Sequence, residues 1–273
     1  MLPPLLIPAL VVVSFSQNER FERELSAVPR FETVVAQREH ALALAARVRS
    51  ARPADLPTAR RACAFAWIAV RKNFPQERAA VADAAFRAAE QLRWVDEDLA
   101  ALRELEVVST VATDATLRAR AVLESAHLER RRRNVERALD LYLGLCADAS
   151  APPRRRDEAA LWVGKSYALL GRFADAERWL RRASERACHA LDRVRAFDEW
   201  CALFVSIDDL EAAAGVLATC RASLAPVVAE ETKLGESVRE ALEGMRSIEL
   251  LERAVARRRV QREDPRTAKL PIR

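Results

Sequence analysis

Ala159 to Ser166 reads AALWVGKS, which satisfies a relaxed phosphate-loop pattern with alanine in place of the first glycine. A phosphate cradle needs a flexible glycine loop between a strand and a helix, with several free N–H groups aimed at one anion. Here the surrounding periodicity is helical, so Lys165 and Ser166 fall inside a helix whose N–H groups are already committed to its ladder. Nucleotide binding is not expected there. The three histidines, His40, His127 and His189, stand on different segments. They form no HExxH pattern, no His–Cys cluster of zinc spacing and no serine elbow. Cys188 and His189 are adjacent, and neighbours on a helix point about 100° apart, which does not suit a nucleophile and its base. The cysteines at 63, 146, 188, 201 and 220 are odd in number and contain no CxxC. That excludes a zinc ribbon or thioredoxin-like site and leaves small core residues as the reading. In an oxidising compartment one disulfide could form, with at least one thiol left over. Asp96-Glu97-Asp98 reads as charge in a helix's first turn, favourable against the dipole. No catalytic residue, metal site or cofactor is expected. An enzyme of unrecognised type is the third-ranked alternative, and it would need a pocket joining distant acids and histidines.

Charge is the next candidate for chemistry. The 273 residues carry a formal +5, yet 257–273 alone carries Arg257, Arg258, Arg259, Arg262, Arg266, Lys269 and Arg273 against Glu263 and Asp264. The remaining 256 residues hold 38 basic and 38 acidic groups. The basicity is therefore a tail, the natural place for an anionic lipid, nucleic acid or acidic protein to bind. Arg130–Arg133 and Arg154–Arg156 fall at two kinds of loop on opposite edges of a stacked array, so they do not sum to one patch. Few aromatics are interleaved with them, and the stacking platform of single-strand binders is missing. Only four of the 45 basic residues are lysine, an arginine bias that a GC-rich genome also produces.

The elements that must position these groups are helices. Glycine is 6 of 273 and alanine 53. That composition argues against sandwiches, barrels and glycine-rich nucleotide folds. Prolines and polar clusters mark helix-length segments near 17–27, 31–50, 57–73, 76–93 and 95–109, with Pro57 and Pro75 at first-turn positions. Nothing alternates with period two, so no sheet is expected.

From 114 onward a repeat emerges. Ala126, Gly164 and Cys201 share one small position; twelve residues later stand Ala138, Ala176 and Ala213. Tyr142, Leu180 and Leu217 follow, then Leu145, Ala183 and Cys220, giving a period of 38 and then 37. Each unit reads helix, turn, helix, loop, with Arg133-Asn134, Gly171-Arg172 and Asp208-Asp209 in the turns. Asp208 with Glu211 matches a capping box. Repeats of this length are stacked units, none able to bury its apolar face alone.

The middle unit, GKSYALLGRFADAERWLRRA, resembles the tetratricopeptide repeat (TPR) family at Gly164, Tyr167, Leu170, Gly171, Ala176, Leu180 and Ala183. The flanking units depart from the pattern, with Ala126 and Cys201 for glycine and Glu129 where tyrosine is usual. The resemblance covers 119–226 and implies an all-α antiparallel helix-hairpin solenoid with a right-handed superhelical path. It also implies a concave groove lined by the first helix of each unit. Matching groove-facing positions gives Leu123, His127, Arg130 and Arg131 from the first unit. The middle unit gives Glu158, Leu161, Lys165, Ala168 and Leu169, and the third Arg195, Asp198 and Ala202. Of these, His127, Arg130, Leu161, Lys165, Leu169, Arg195 and Asp198 are the expected partner-binding residues. Their mix of apolar and basic groups suits an extended or helical peptide with some acidic residues. The lysine-and-asparagine clamp of chaperone-binding members is missing.

The expected organisation is a signal peptide over 1–16, helical hairpins over 17–113, TPR-like repeats over 114–226, a capping helix over 227–262 and a basic tail over 263–273. Residues 1–18 are uncharged, and Ser14-Phe15-Ser16 resembles a signal-peptidase site, although the usual basic opening is missing. An exported, periplasmic protein is the first expectation; a cytoplasmic protein with an apolar N-terminus and an uncleaved anchor are the alternatives. Mature residues contain no expected transmembrane span. Leu234, Val238, Leu242, Met245, Ile248, Leu251 and Val255 form one apolar stripe, which fits a capping helix or, alternatively, a dimerising coiled coil. The functional expectation is a scaffold for a protein or peptide partner, with anionic-partner binding through Arg257, Arg258, Arg259 and Arg262 as the alternative. Partner identity and oligomeric state are not legible.

Overall fold

Alanine-rich segments bounded by prolines and short polar turns fold as helices, and in the computed structural model no strand occurs among the described residues, 19–230 and 232–263. A helical segment over 19–26 (α1) is followed by α2 (Val34–Ser50), α3 (Leu56–Asn73), α4 (Arg78–Leu92) with a 3₁₀ turn at Arg93–Val95, and α5 (Asp98–Val111). Then come α6 (Ala115–Arg131), α7 (Val135–Ala147), α8 (Pro153–Leu169), α9 (Phe173–Arg186), α10 (Ala190–Ser206), α11 (Leu210–Val228), α12 (Lys233–Glu243) and α13 (Arg246–Glu263). Their starts have local causes. The hydroxyls of Thr33 and Thr232 accept from Ala36 N and Gly235 N, and Pro153 opens α8, where its missing N–H costs nothing. The expected signal peptide lies outside the described residues, as does the tail beyond residue 263.

Two compact units divide the chain, 1–128 and 129–273. In the N-terminal unit α3 is central: every residue from Cys63 to Val70 is buried, with α2 and α4 packed against it. Alanines at 82, 84, 85, 88 and 89 let α4 approach closely, and Phe65, Trp67, Ile68, Phe86 and Leu92 fill the remaining space. Two polar groups are buried with partners. Gln37 donates to Pro29 O at 2.9 Å and accepts from Phe31 N and Asn73 Nδ2. Glu104, 4% exposed, takes a two-pronged contact from Arg71 at 2.9 and 2.8 Å.

In the C-terminal unit, consecutive helices from α7 to α11 pack as neighbours, and α12 and α13 close against α10 and α11. A side chain at 164 would meet Leu180 Cγ at 2.6 Å, so only glycine permits the observed approach of α8 and α9. The helix-to-helix turns share one conformation. Arg133, Gly171 and Asp208 have φ of 69°, 72° and 63°, and the next residue's N–H reaches back to Glu129 O, Tyr167 O and Phe204 O, each at 2.9 Å. Asp96 has φ 58°, and Glu97 N reaches Leu92 O. The turn therefore recurs at intervals of 37, 38 and 37 residues. Ala89, Ala101, Leu105 and Val108, the matching core positions of α4 and α5, are buried too. The TPR-like register runs one hairpin further toward the N-terminus than the repeat recognised from residue 114.

Three expectations are corrected. The capping box is not formed by Asp208, which occupies the left-handed turn; Asp209 caps α11 by accepting from Ala212 N at 3.0 Å. Leu123, expected on the groove, is buried. The single helix expected over 227–262 is two, because α11 continues past Pro226 to Val228 and α12 ends at Gly244. Beyond the proline, Val227 and Val228 are partly buried against the unit's core. Five of the seven stripe residues are used internally: Val238 and Met245 are buried, and Leu242, Ile248 and Leu251 pack on the core of α10 and α11, while Leu234 and Val255 at the two ends are exposed. Leu210–Val228 is the one described helix long and apolar enough to cross a membrane, and its Ala213, Val216, Leu217, Cys220 and Leu224 lie in that core.

Candidate functional site

The buried face of α8 carries Ala159, Ala160, Val163, Gly164, Ser166 and Tyr167. Helical periodicity then turns Glu158, Leu161, Trp162, Lys165 and Leu169 to the opposite face. On α10 the residues 37 positions later, Arg195, Asp198, Glu199, Ala202 and Ser206, take the same face. The two stripes meet in a groove with two adjoining basins. One, of about 300 Å³, is lined by Arg130, Trp162, Lys165, Leu169, Glu199, Ser206 and Arg246. The other, of about 280 Å³, is lined by Glu158, Leu161, Trp162, Lys165, Asp192, Arg195, Asp198 and Glu199.

Trp162 is the floor common to both basins. Its ring stacks on Tyr142 of α7 at 6.2 Å and 15°, and cations sit over it: Arg130 at 4.4 Å and Lys165 at 4.5 Å. Such contacts hold charged side chains against an apolar plate. Lys165 Nζ also pairs with Glu199 across the groove, and Arg246 approaches the same carboxylate at 3.4 Å. Arg130 Nε is shielded from solvent and has no hydrogen-bond partner. The groove thus presents an indole plate, one exposed leucine and a balanced set of charges, in which Lys165 and Arg246 answer Glu199 and Arg195 answers Asp192, while Arg130 meets no carboxylate among the described residues.

Arg130, Lys165 and Leu169 line the first basin, and Leu161, Lys165, Arg195 and Asp198 the second. Asp198 has a second task, since its Oδ1 accepts from Ser247 N at 2.7 Å and so caps α13. His127 is half-buried on the part of α6 that belongs to the N-terminal unit. Trp162, Glu199 and Arg246 were missed. The first two sit within the stripes already traced and were legible from spacing; Arg246 arrives through the break at Gly244, which apolar periodicity alone does not reveal.

Other residues singled out from sequence have structural roles or lie at the surface. Lys165 and Ser166 lie inside α8, with Ser166 Oγ donating to Trp162 O at 2.8 Å. Cys188 is exposed and bonds Asp157 through its N–H at 2.9 Å and Sγ at 2.8 Å. That hydrogen bond, with some burial, raises the thiol's pKa. Burial pushes Cys146 up to about 11 and Cys220 up to about 12. All are poor nucleophiles near neutral pH. Among the described residues, no group of three or more His, Cys, Asp or Glu could hold a metal. Of the tail arginines, Arg257 and Arg259 are exposed, while Arg258 pairs with Asp208 Oδ2 at 2.8 Å. The side chain of Arg262 lies outside the described residues.

No family model matches the chain, and no curated protein matches it. Among solved structures, PilW, a widely conserved type IV pilus biogenesis factor, is similar at 16% identity, over 86% of this chain and 96% of that one, with TM-score 0.48. A kinesin light chain of P. anserina with nearly identical TPR-like repeats is 18% identical over 71% and 98%, with TM-score 0.44. BtubC from P. vanneervenii is 15% identical over 78% and 94%, also with TM-score 0.44.

Proposed function

We propose that this chain is a protein-interaction scaffold, and that the groove between α8 and α10 holds an extended or helical peptide segment with acidic residues. The observation that carries the reading is the Trp162 plate with Arg130 and Lys165 over it, flanked by exposed Leu169 and Arg195. An indole supplies apolar area at low entropic cost, and Arg130, whose Nε meets no acceptor, supplies sign preference. TPR-like hairpins supply a rigid backing for such a face. Nothing in the groove joins an acid, a base and a nucleophile, so recognition rather than catalysis is what the arrangement favours.

The test pairs two exposed changes that leave the core alone, Leu169→Asp and Arg195→Glu. Full-length chain and double variant are compared for affinity capture, followed by titration of synthetic peptides from the captured polypeptides. Peptides bound by the wild type and weakened about tenfold or more in a variant of unchanged melting temperature would support the groove. Equal binding by both would remove it.

A further inference from the structure

Beyond the groove, a second cavity of about 290 Å³ lies among the C-terminal end of α7, the first turns of α8, the last turns of α9 and the loop before α10. Three arginines line it, Arg156, Arg182 and Arg186, together with Asp157, Trp179 and Cys188. Their neighbours in sequence are neutralised: Arg154 approaches Asp192 at 3.6 Å and Arg155 pairs with Glu158 at 2.8 Å. Among the described residues, Arg156, Arg182 and Arg186 have no such carboxylate. Arg156 Nε is shielded from solvent and meets no acceptor. Arg182 lies over the Trp179 ring at 5.0 Å, which steadies one guanidinium without answering its charge. The one acid, Asp157, already accepts from the Cys188 N–H and Sγ.

Three guanidinium groups against one occupied carboxylate leave an uncompensated positive field around an open recess, with Arg156 at its inner side and Arg182 and Arg186 exposed at its rim. Guanidinium forks match tetrahedral oxyanions by paired N–H···O contacts. We propose that this cavity is a binding site for a phosphoryl group, held by Arg156, Arg182 and Arg186, with Asp157 setting the limit on how much negative charge it tolerates. The site is distinct in chemistry from the peptide groove and does not depend on that reading. It adjoins the groove, because Asp157 and Ala183 belong to both cavities.

Titration calorimetry of the full-length chain with inorganic phosphate, at low and raised chloride, tests the assignment. Saturable one-to-one binding is expected, weakened about tenfold or more in Arg182→Gln by loss of charge-assisted hydrogen bonds. Asp157→Asn should bind more tightly, an effect that mere structural damage would not produce. O-phosphoserine binding as tightly as inorganic phosphate would mark an esterified phosphoryl ligand, whereas a clear preference for inorganic phosphate would mark the free ion. Absence of saturable binding, indifference to Arg182→Gln, or tighter binding of citrate than of either phosphate would overturn the proposal. Arg182 is exposed, so its variant keeps the fold, and an unchanged melting temperature checks this.

Discussion

Arg71 and Glu104 show how a single buried charge is tolerated. Glu104 on α5 is almost wholly buried, and burial raises its carboxyl pKa above the ordinary 4.5 while the two-pronged contact from Arg71 pulls it back. Removing one partner of a buried pair costs about 3–5 kcal/mol, because the other charge is left stranded. Arg71→Met should therefore destabilise the N-terminal unit by that order near neutral pH. The sign of its pH dependence follows from linkage. A carboxyl with a raised folded pKa holds its proton where the unfolded chain has lost it, so stability falls as pH rises from 4.5 through the folded value. Without Arg71 that value climbs further, and mild acidification should recover part of the loss. Urea unfolding followed across that range checks the prediction; a variant whose deficit is the same at every pH would mean that Glu104 does not carry the charge assumed.

Hairpin closeness is decided at the level of paired helices. In the α8–α9 hairpin the contact is set by Gly164 against Leu180, and the equivalent positions elsewhere are Ala89, Ala126 and Cys201, all buried. Adding one methyl at 164 would force Leu180 from its rotamer or the helices apart, at about 1–3 kcal/mol. Gly164→Ala should lower the melting temperature accordingly, and pairing it with Leu180→Ala should return part of the loss, which a double-mutant cycle would detect. An alanine at 164 that costs nothing would mean that α8 and α9 are not held this closely. The same hairpins show what was legible from sequence. Helix positions, the 37–38 residue period and the small-to-large pairs at 164 and 180 were readable because helical spacing and side-chain size are local properties. That the hairpin of α4 and α5 shares the register of the repeat was not, since its left-handed turn is made by Asp96 rather than glycine and its close-packed positions hold alanine, common throughout this chain. The groove residues on α8 and α10 were mostly legible from one stripe. Arg246 and the task of Asp198 were not, because both depend on how α12 and α13 fold back after an irregular break.

Taken over the whole molecule, charge is distributed so that 1–256 is balanced and 257–273 carries the formal +5. Part of that end is already engaged, for Arg258 pairs with Asp208 at the turn between α10 and α11. An exposed ion pair of this kind contributes at most about 1 kcal/mol, so it docks the end of α13 only weakly. If the tail is the chain's polyanion-binding element, retention on a heparin column should fall in two steps. Deleting 264–273 removes Arg266, Lys269 and Arg273 against Asp264, a net +2, while deleting 257–273 removes the full +5. The salt needed for elution should decrease in that order, since each phosphate or sulfate group no longer neutralised by the protein lowers the counterion-release slope by about one. The longer deletion should also remove the Arg258–Asp208 ion pair and a little stability, whereas the shorter one should not. Retention of the longer deletion at the same salt as the full chain would place the polyanion-binding surface outside 257–273. In that event, Arg182→Gln within the longer deletion should lower the eluting salt, because Arg156, Arg182 and Arg186, on α8 and α9, form a cluster with no answering carboxylate among the described residues.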